Sequence, residues 1–139
     1  MMKKFPAIAV VLCAAVFALR AQSARSVRDG VYNEAQAARG RIAYSQICME
    51  CHGRDLTGDV ETRPLIGDEF TTNWSEGSLL RLFDRIRITM PADKAGTLSR
   101  QQVADILAFI LQSNTFPAGK DELSTRSEVL DQIKFEIPK

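Results

Sequence analysis

A single histidine, His52, stands among the 139 residues of this chain, and that scarcity restricts its metal chemistry. A structural zinc site draws about four ligands, usually from two cysteine pairs or from one cysteine pair and a histidine pair. The chain has Cys13, Cys48 and Cys51 and offers no second pair of either kind. Long apolar runs are missing as well. The longest, Phe5 to Leu19, spans 15 residues, short of the roughly 20 that cross a bilayer as a helix. Charge of one sign is not in excess: 18 basic residues face 17 acidic ones, so no basic face points to nucleic acid. No internal repeat or low-complexity tract is present, and the length suits one domain.

The apolar run has the layout of a secretory signal peptide, with Lys3 and Lys4 before it and the small residues Ala21, Ser23 and Ala24 after it. We read residues 1–23 as that signal, cleaved near Ser23 or Ala24. Residues 24–33 are then a flexible polar lead-in to a domain over 34–139. Export to the periplasm follows, whereas an uncleaved leader would act as a membrane anchor. Cys13 follows the large Leu12 where a lipoprotein signal wants a small residue, so it leaves with the leader. Loss of Lys3, Lys4 and Arg20 leaves 15 basic residues against 17 acidic, a mildly acidic surface. No structural disulfide is available to the remaining two cysteines, although an exported compartment would permit one.

Both belong to Cys48-Met49-Glu50-Cys51-His52. The spacing C-x-x-C-H is that of a c-type haem attachment site: two thiols add across the haem vinyl groups, and the adjacent imidazole takes the proximal face of the iron. Two intervening residues let one turn of chain present both sulfurs to one edge of a porphyrin. A dithiol redox motif is the competing reading, but it belongs in a βαβ context and the flanking sequence is helical. A zinc site and a chance match are the others.

The sixth iron position decides between electron transfer and chemistry on a bound small molecule. With one histidine, two-histidine ligation within one chain is excluded. Met1 and Met2 lie in the leader and Met49 inside the motif, which leaves Met90. It follows an amphipathic segment and precedes Pro91, which stops a helix and leaves an extended loop able to lay a thioether on the far haem face. A core methionine, an open sixth position and Lys94 as ligand are the alternatives.

Helical spacing appears in three places. The first helix starts at Asn33 with Gln36 as a capping-box-like partner, and Ala35, Ala38, Ile42, Ala43 and Ile47 read as its apolar positions. Gly40 interrupts it, which suggests close contact with another element. A further helix runs from Ser75 or Ser78 to about Ile88, with Leu79, Leu82, Phe83 and Ile86 inward and Arg81, Asp84, Arg85 and Arg87 outward. The last long helix opens at Ser99 with Gln102, buries Val103, Ile106, Leu107, Ile110 and Leu111, and ends near Asn114, a candidate left-handed cap. Phe70 to Trp74 reads as a short helix. The tail holds Val129, Leu130, Ile133, Phe135 and Ile137 and is expected to wrap the body.

Cys48-x-x-Cys51-His52, then Pro64-Leu65-x-Gly67, then Met90-Pro91 resembles a class I cytochrome c in order and spacing. The wider set, with Gly40-Arg41-x-x-Tyr44, Trp74 and Phe116-Pro117-Ala118-Gly119, is similar to the haem domains of bacterial dehydrogenases that use pyrroloquinoline quinone. The resemblance implies an all-α fold of about four to five helices wrapped around one covalent haem c, with the first and last helices crossing at Gly40, Tyr44 and Phe109. It further implies that the Pro64 carbonyl accepts from the free nitrogen of His52, and that Trp74 sits near a haem propionate, core packing being its alternative. The implied role is a monomeric one-electron carrier, not an enzyme, with a quinoprotein dehydrogenase as donor and an oxidase as acceptor. A haem enzyme or small-ligand sensor with a labile sixth ligand, or a dedicated subunit of a dehydrogenase complex, are the other readings.

Overall fold

A computed structural model describes residues 25–137. The signal peptide expected over 1–23 lies outside the described residues. The chain runs as β1 (Arg25–Ser26), a 3-10 turn (Val27–Asp29), α1 (Glu34–Ile47), α2 (Met49–His52), α3 (Gly67–Trp74), α4 (Leu79–Thr89), a second 3-10 turn (Ala92–Lys94), α5 (Arg100–Ser113), α6 (Ser127–Leu130) and β2 (Ile133–Lys134). The fold is all-α, as expected. Four helices run for two turns or more, and α2 and α6 are single turns. Among the described residues no helix is long and apolar enough to cross a membrane.

The helices start where their caps allow. Asn33 accepts a hydrogen bond from the Gln36 N–H at 2.9 Å, and Ser99 and Gln102 form a reciprocal capping box. The expected stripes of α4 and α5 are buried: Leu79, Leu82, Phe83 and Ile86 in one, Val103, Ile106, Leu107, Ile110 and Leu111 in the other. Arg81 and Arg85 face solvent, and Arg87 pairs with Asp84 at 3.2 Å.

The dominant packing is α1 across α5. Gly40 permits it: a methyl group there would collide with the Asp105 carbonyl oxygen and come within 3.0 Å of the Phe109 Cβ. Tyr44 and Phe109 stack at a tilt with ring centroids 5.3 Å apart. The crossing is braced at its flank by Arg39, which donates two hydrogen bonds to Asp105 and one to Glu122.

Three local expectations need correction. The inner face of α1 is Gln36, Ala37, Gly40 and Tyr44, while Ala35, Ala38 and Ile42 are exposed; a close crossing selects small residues and not the most apolar ones. Gln36 is tolerated there because its side chain donates to the Leu123 carbonyl at 3.2 Å and accepts from the Leu123 N–H at 2.6 Å. Residues 25–33 are built into the core instead of forming a loose lead-in, with Val27, Val31 and Tyr32 buried. The left-handed residue after α5 is Thr115, at φ 63°, and Asn114 uses its side chain instead. It accepts from the Gly67 N–H at 3.0 Å and donates to the Leu65 and Ile110 carbonyls, each at 2.9 Å.

The tail does wrap the body. Leu123, Leu130, Ile133 and Phe135 are buried, whereas Ile137 stays exposed. β2 pairs in parallel with β1, Arg25 beside Ile133 and Ser26 beside Lys134. Tyr32 donates to the Phe116 carbonyl at 2.7 Å, and the Gly119 N–H donates to the Tyr32 carbonyl at 2.6 Å. Phe135 sets its ring edge-on to Phe70 and Phe116. The two ends of the described chain are thereby closed on each other.

Candidate functional site

The C-x-x-C-H motif occupies the end of α1 and the single turn α2. Cys48 ends α1, its N–H donating to the Tyr44 carbonyl at 2.8 Å. The Cys51 and His52 amides then donate to the Cys48 carbonyl at 3.2 and 2.9 Å, so the motif closes as one helical turn. Both cysteines are free thiols. Cys48 is half-buried and Cys51 exposed, and burial, with the neighbouring Cys51 adding to it, pushes the Cys48 thiol up to about 11.

His52 is the last residue of that turn. Its Nδ1 lies 3.3 Å from the Arg63 carbonyl oxygen. Sequence reasoning gave this carbonyl to Pro64; here it belongs to the residue before. A residue preceding proline is steered to extended backbone, so Pro64 contributes by restricting how Arg63 presents its carbonyl. Burial holds His52 below its ordinary pKa of 6.5, opposed by the bond to Arg63 and by Asp59. Burial thus favours the neutral ring, the form that ligates a metal.

The backbone around His52 is held on both sides. The Gly58 N–H donates to the His52 carbonyl at 3.0 Å. The next carbonyl, that of Gly53, accepts from the Tyr44 hydroxyl at 2.7 Å. Gly53 sits at φ 78°, a conformation that glycine adopts without a steric penalty. Beyond it, Leu56 plugs the loop into the core and its carbonyl accepts from the Leu65 N–H at 2.8 Å. This places Pro64 and Leu65 beside the loop that follows the motif.

Met90 caps α4, its N–H donating to the Ile86 carbonyl at 3.0 Å, and Met90 and Pro91 are both extended. The proline ends the helix as its missing N–H requires. Met90 is half-buried and packs on the core, as do Cys48, Met49, Leu65, Ile66, Leu80 and Leu98. Trp74, at the end of α3, is half-buried beside Phe70, with ring centroids 6.4 Å apart, and carries the Arg81 guanidinium 6.0 Å from its ring. Lys94, the other candidate sixth ligand, lies on the exposed 3-10 turn with its ammonium 3.7 Å from Asp93.

The donor set fits a covalently attached haem. Two free thiols share one helical turn, and one imidazole has Nδ1 at a carbonyl, which leaves Nε2 for iron. Among the described residues no group of three or more His, Cys, Asp or Glu gathers as it would around a structural zinc. Sequence reasoning missed Arg63, whose carbonyl faces His52, and gave Gln36 and Asn114 only capping roles, without their side-chain bonds to Leu123 and to Gly67 and Leu65.

No curated protein and no solved structure is significantly similar to the chain. Residues 35–110, more than half of the chain, match the family described as cytochrome C oxidase, cbb3-type, subunit III; the chain belongs to that family, a c-type cytochrome of electron transfer that carries haem c covalently on an all-α fold.

Proposed function

We propose that the protein is an exported one-electron carrier in which Cys48 and Cys51 hold the haem through thioethers, His52 is the proximal ligand and Met90 the distal one. The observation that supports this best is the placement of His52, the sole imidazole, at the end of the turn that carries both cysteines, with Nδ1 3.3 Å from the Arg63 carbonyl oxygen. Bound haem c supplies one-electron exchange between ferrous and ferric iron. The residues of the chain set the terms of that exchange. His52, bonded at Nδ1, is a more basic ligand in a fixed orientation. Met90, as a thioether ligand, raises the reduction potential and closes the position at which a substrate would bind. Pro64 and Trp74 serve the cofactor indirectly, the first by directing the Arg63 carbonyl and the second by packing with Phe70 near a propionate.

The acceptor in this account is an oxidase, in keeping with the family description, and the donor is an exported quinoprotein dehydrogenase, which rests on sequence resemblance. The protein acts in the periplasm as a monomer, released there by a signal peptide over 1–23. Partners dock through small interfaces, under about 1,200 Å² in total, and exchange quickly. The test is rapid mixing of the reduced protein with a purified haem–copper oxidase. Saturable oxidation that weakens with salt supports a diffusing carrier. Failure to pass electrons to the oxidase, with reduction by the dehydrogenase intact, would move the protein to a dedicated dehydrogenase subunit.

A further inference from the structure

We infer that Tyr44 is a positioning residue for the proximal ligand: its hydroxyl couples the crossing of α1 and α5 to the turn that carries His52. The inference rests on His52 being the iron ligand, as proposed above.

Tyr44 lies one helical turn before Cys48 and is 2% exposed. Its ring is held from one side by Phe109 of α5 at 5.3 Å between centroids, and the neighbouring Gly40 lets α5 come this close. The hydroxyl reaches out of the crossing to the Gly53 carbonyl at 2.7 Å. The other donor near that carbonyl, the Leu56 N–H, is at 3.5 Å, too long to replace it. The short bond therefore pins the Gly53–Arg54 peptide, one residue beyond His52. The His52 ring has only a long contact, 3.3 Å, to the Arg63 carbonyl, so its orientation depends on how firmly its backbone is fixed. Backbone bonds from the Gly58 N–H to the His52 carbonyl and from the His52 N–H to the Cys48 carbonyl hold that residue locally, and Tyr44 ties the adjoining Gly53 to the rigid pair of long helices. Burial, with smaller contributions from Cys48 and Asp55, pushes the hydroxyl up to about 12, so it remains a donor throughout the neutral range.

The consequence has a sign. Without the hydroxyl the Gly53 turn relaxes, the contact between His52 Nδ1 and the Arg63 carbonyl weakens, and the imidazole becomes a poorer electron donor to iron. The ferric state loses more than the ferrous, and the potential rises.

The experiment compares the haem-loaded wild type with Y44F and F109L. Y44F keeps the ring and its packing; F109L weakens the crossing and keeps the hydroxyl bond. Three readouts are taken: thermal stability, reduction potential, and amide exchange at His52 and Gly53 in the reduced protein. We expect Y44F to raise the potential and to speed exchange at those two amides about fivefold, the factor for one net hydrogen bond. F109L should lower stability while moving the potential less than Y44F does, because the hydroxyl bond is kept. A Y44F protein that loses stability with its potential and local exchange unmoved would overturn the inference, and so would an equal potential shift in F109L. If the wild type itself lacks a low-spin histidine-ligated spectrum, the ligand assignment fails and takes this inference with it. A normal wild type beside an unresponsive Y44F removes the role of Tyr44 alone.

Discussion

At the scale of single residues, the chemistry concentrates in side chains that the sequence has in short supply. Replacing Met90 with alanine should leave haem attachment intact, lower the reduction potential and open the iron to carbon monoxide, read from the optical spectrum in the reduced state. The two tyrosines give a second prediction. Burial, with some help from Glu34, pushes Tyr32 to about 12, and Tyr44 is likewise pushed to about 12, each from an ordinary value of 10.0. Because the folded state prefers the neutral phenol, the stability from each is complete below pH 10 and is lost as pH rises towards 12. Tyrosine ring signals followed by NMR should therefore titrate late and coincide with alkaline unfolding, and Y32F should shift that unfolding upward. The motif residues were legible in the sequence because covalent attachment dictates their spacing. The Arg63 carbonyl was not, because which backbone carbonyl faces a ring depends on loop direction, and residue type carries little of that information.

At the scale of elements, the crossing of α1 and α5 governs what the motif can do, since Cys48 is the residue that caps the first of these helices. Gly40→Ala should destabilise the haem-loaded protein by on the order of 3 kcal/mol, measured by denaturant unfolding, because the added methyl meets the Asp105 backbone and Phe109. A neutral result would mean that the helices do not meet at this residue. Ser99→Ala should cost about 1 kcal/mol through loss of the α5 cap. α4 and α5 were readable because one face of each is large and apolar at helical spacing. α1 was misread because its buried face is Gln36, Ala37, Gly40 and Tyr44. Side-chain size and a paired amide decide burial there, and apolar periodicity pointed to the exposed Ile42.

At the scale of the whole molecule, the described chain is closed by its ends. Residues 25–33 and the tail after Phe116 bury each other's side chains and share backbone hydrogen bonds between β1 and β2 and between Gly119 and Tyr32. The wrapping of the tail was legible in its apolar residues, but its closure on residues 25–33 was not, since that is made of backbone pairing between segments about a hundred residues apart. Removing residues 120–139 strips Leu123, Leu130, Ile133 and Phe135 from the core. At about 2 kcal/mol each, their loss is comparable with the whole stability of a small domain, roughly 5–15 kcal/mol. The truncated protein should lack a cooperative thermal transition, and one that melts like the full chain would contradict this. The account's central claim, a six-coordinate carrier ligated by His52 and Met90, is tested most directly by the absorption spectrum of the exported protein, ferric and reduced, with and without carbon monoxide. We predict a low-spin spectrum with the weak far-red ferric band of thioether ligation, unchanged by carbon monoxide. A high-spin spectrum, or one that shifts on adding the gas, would contradict the claim and favour a haem enzyme or a sensor.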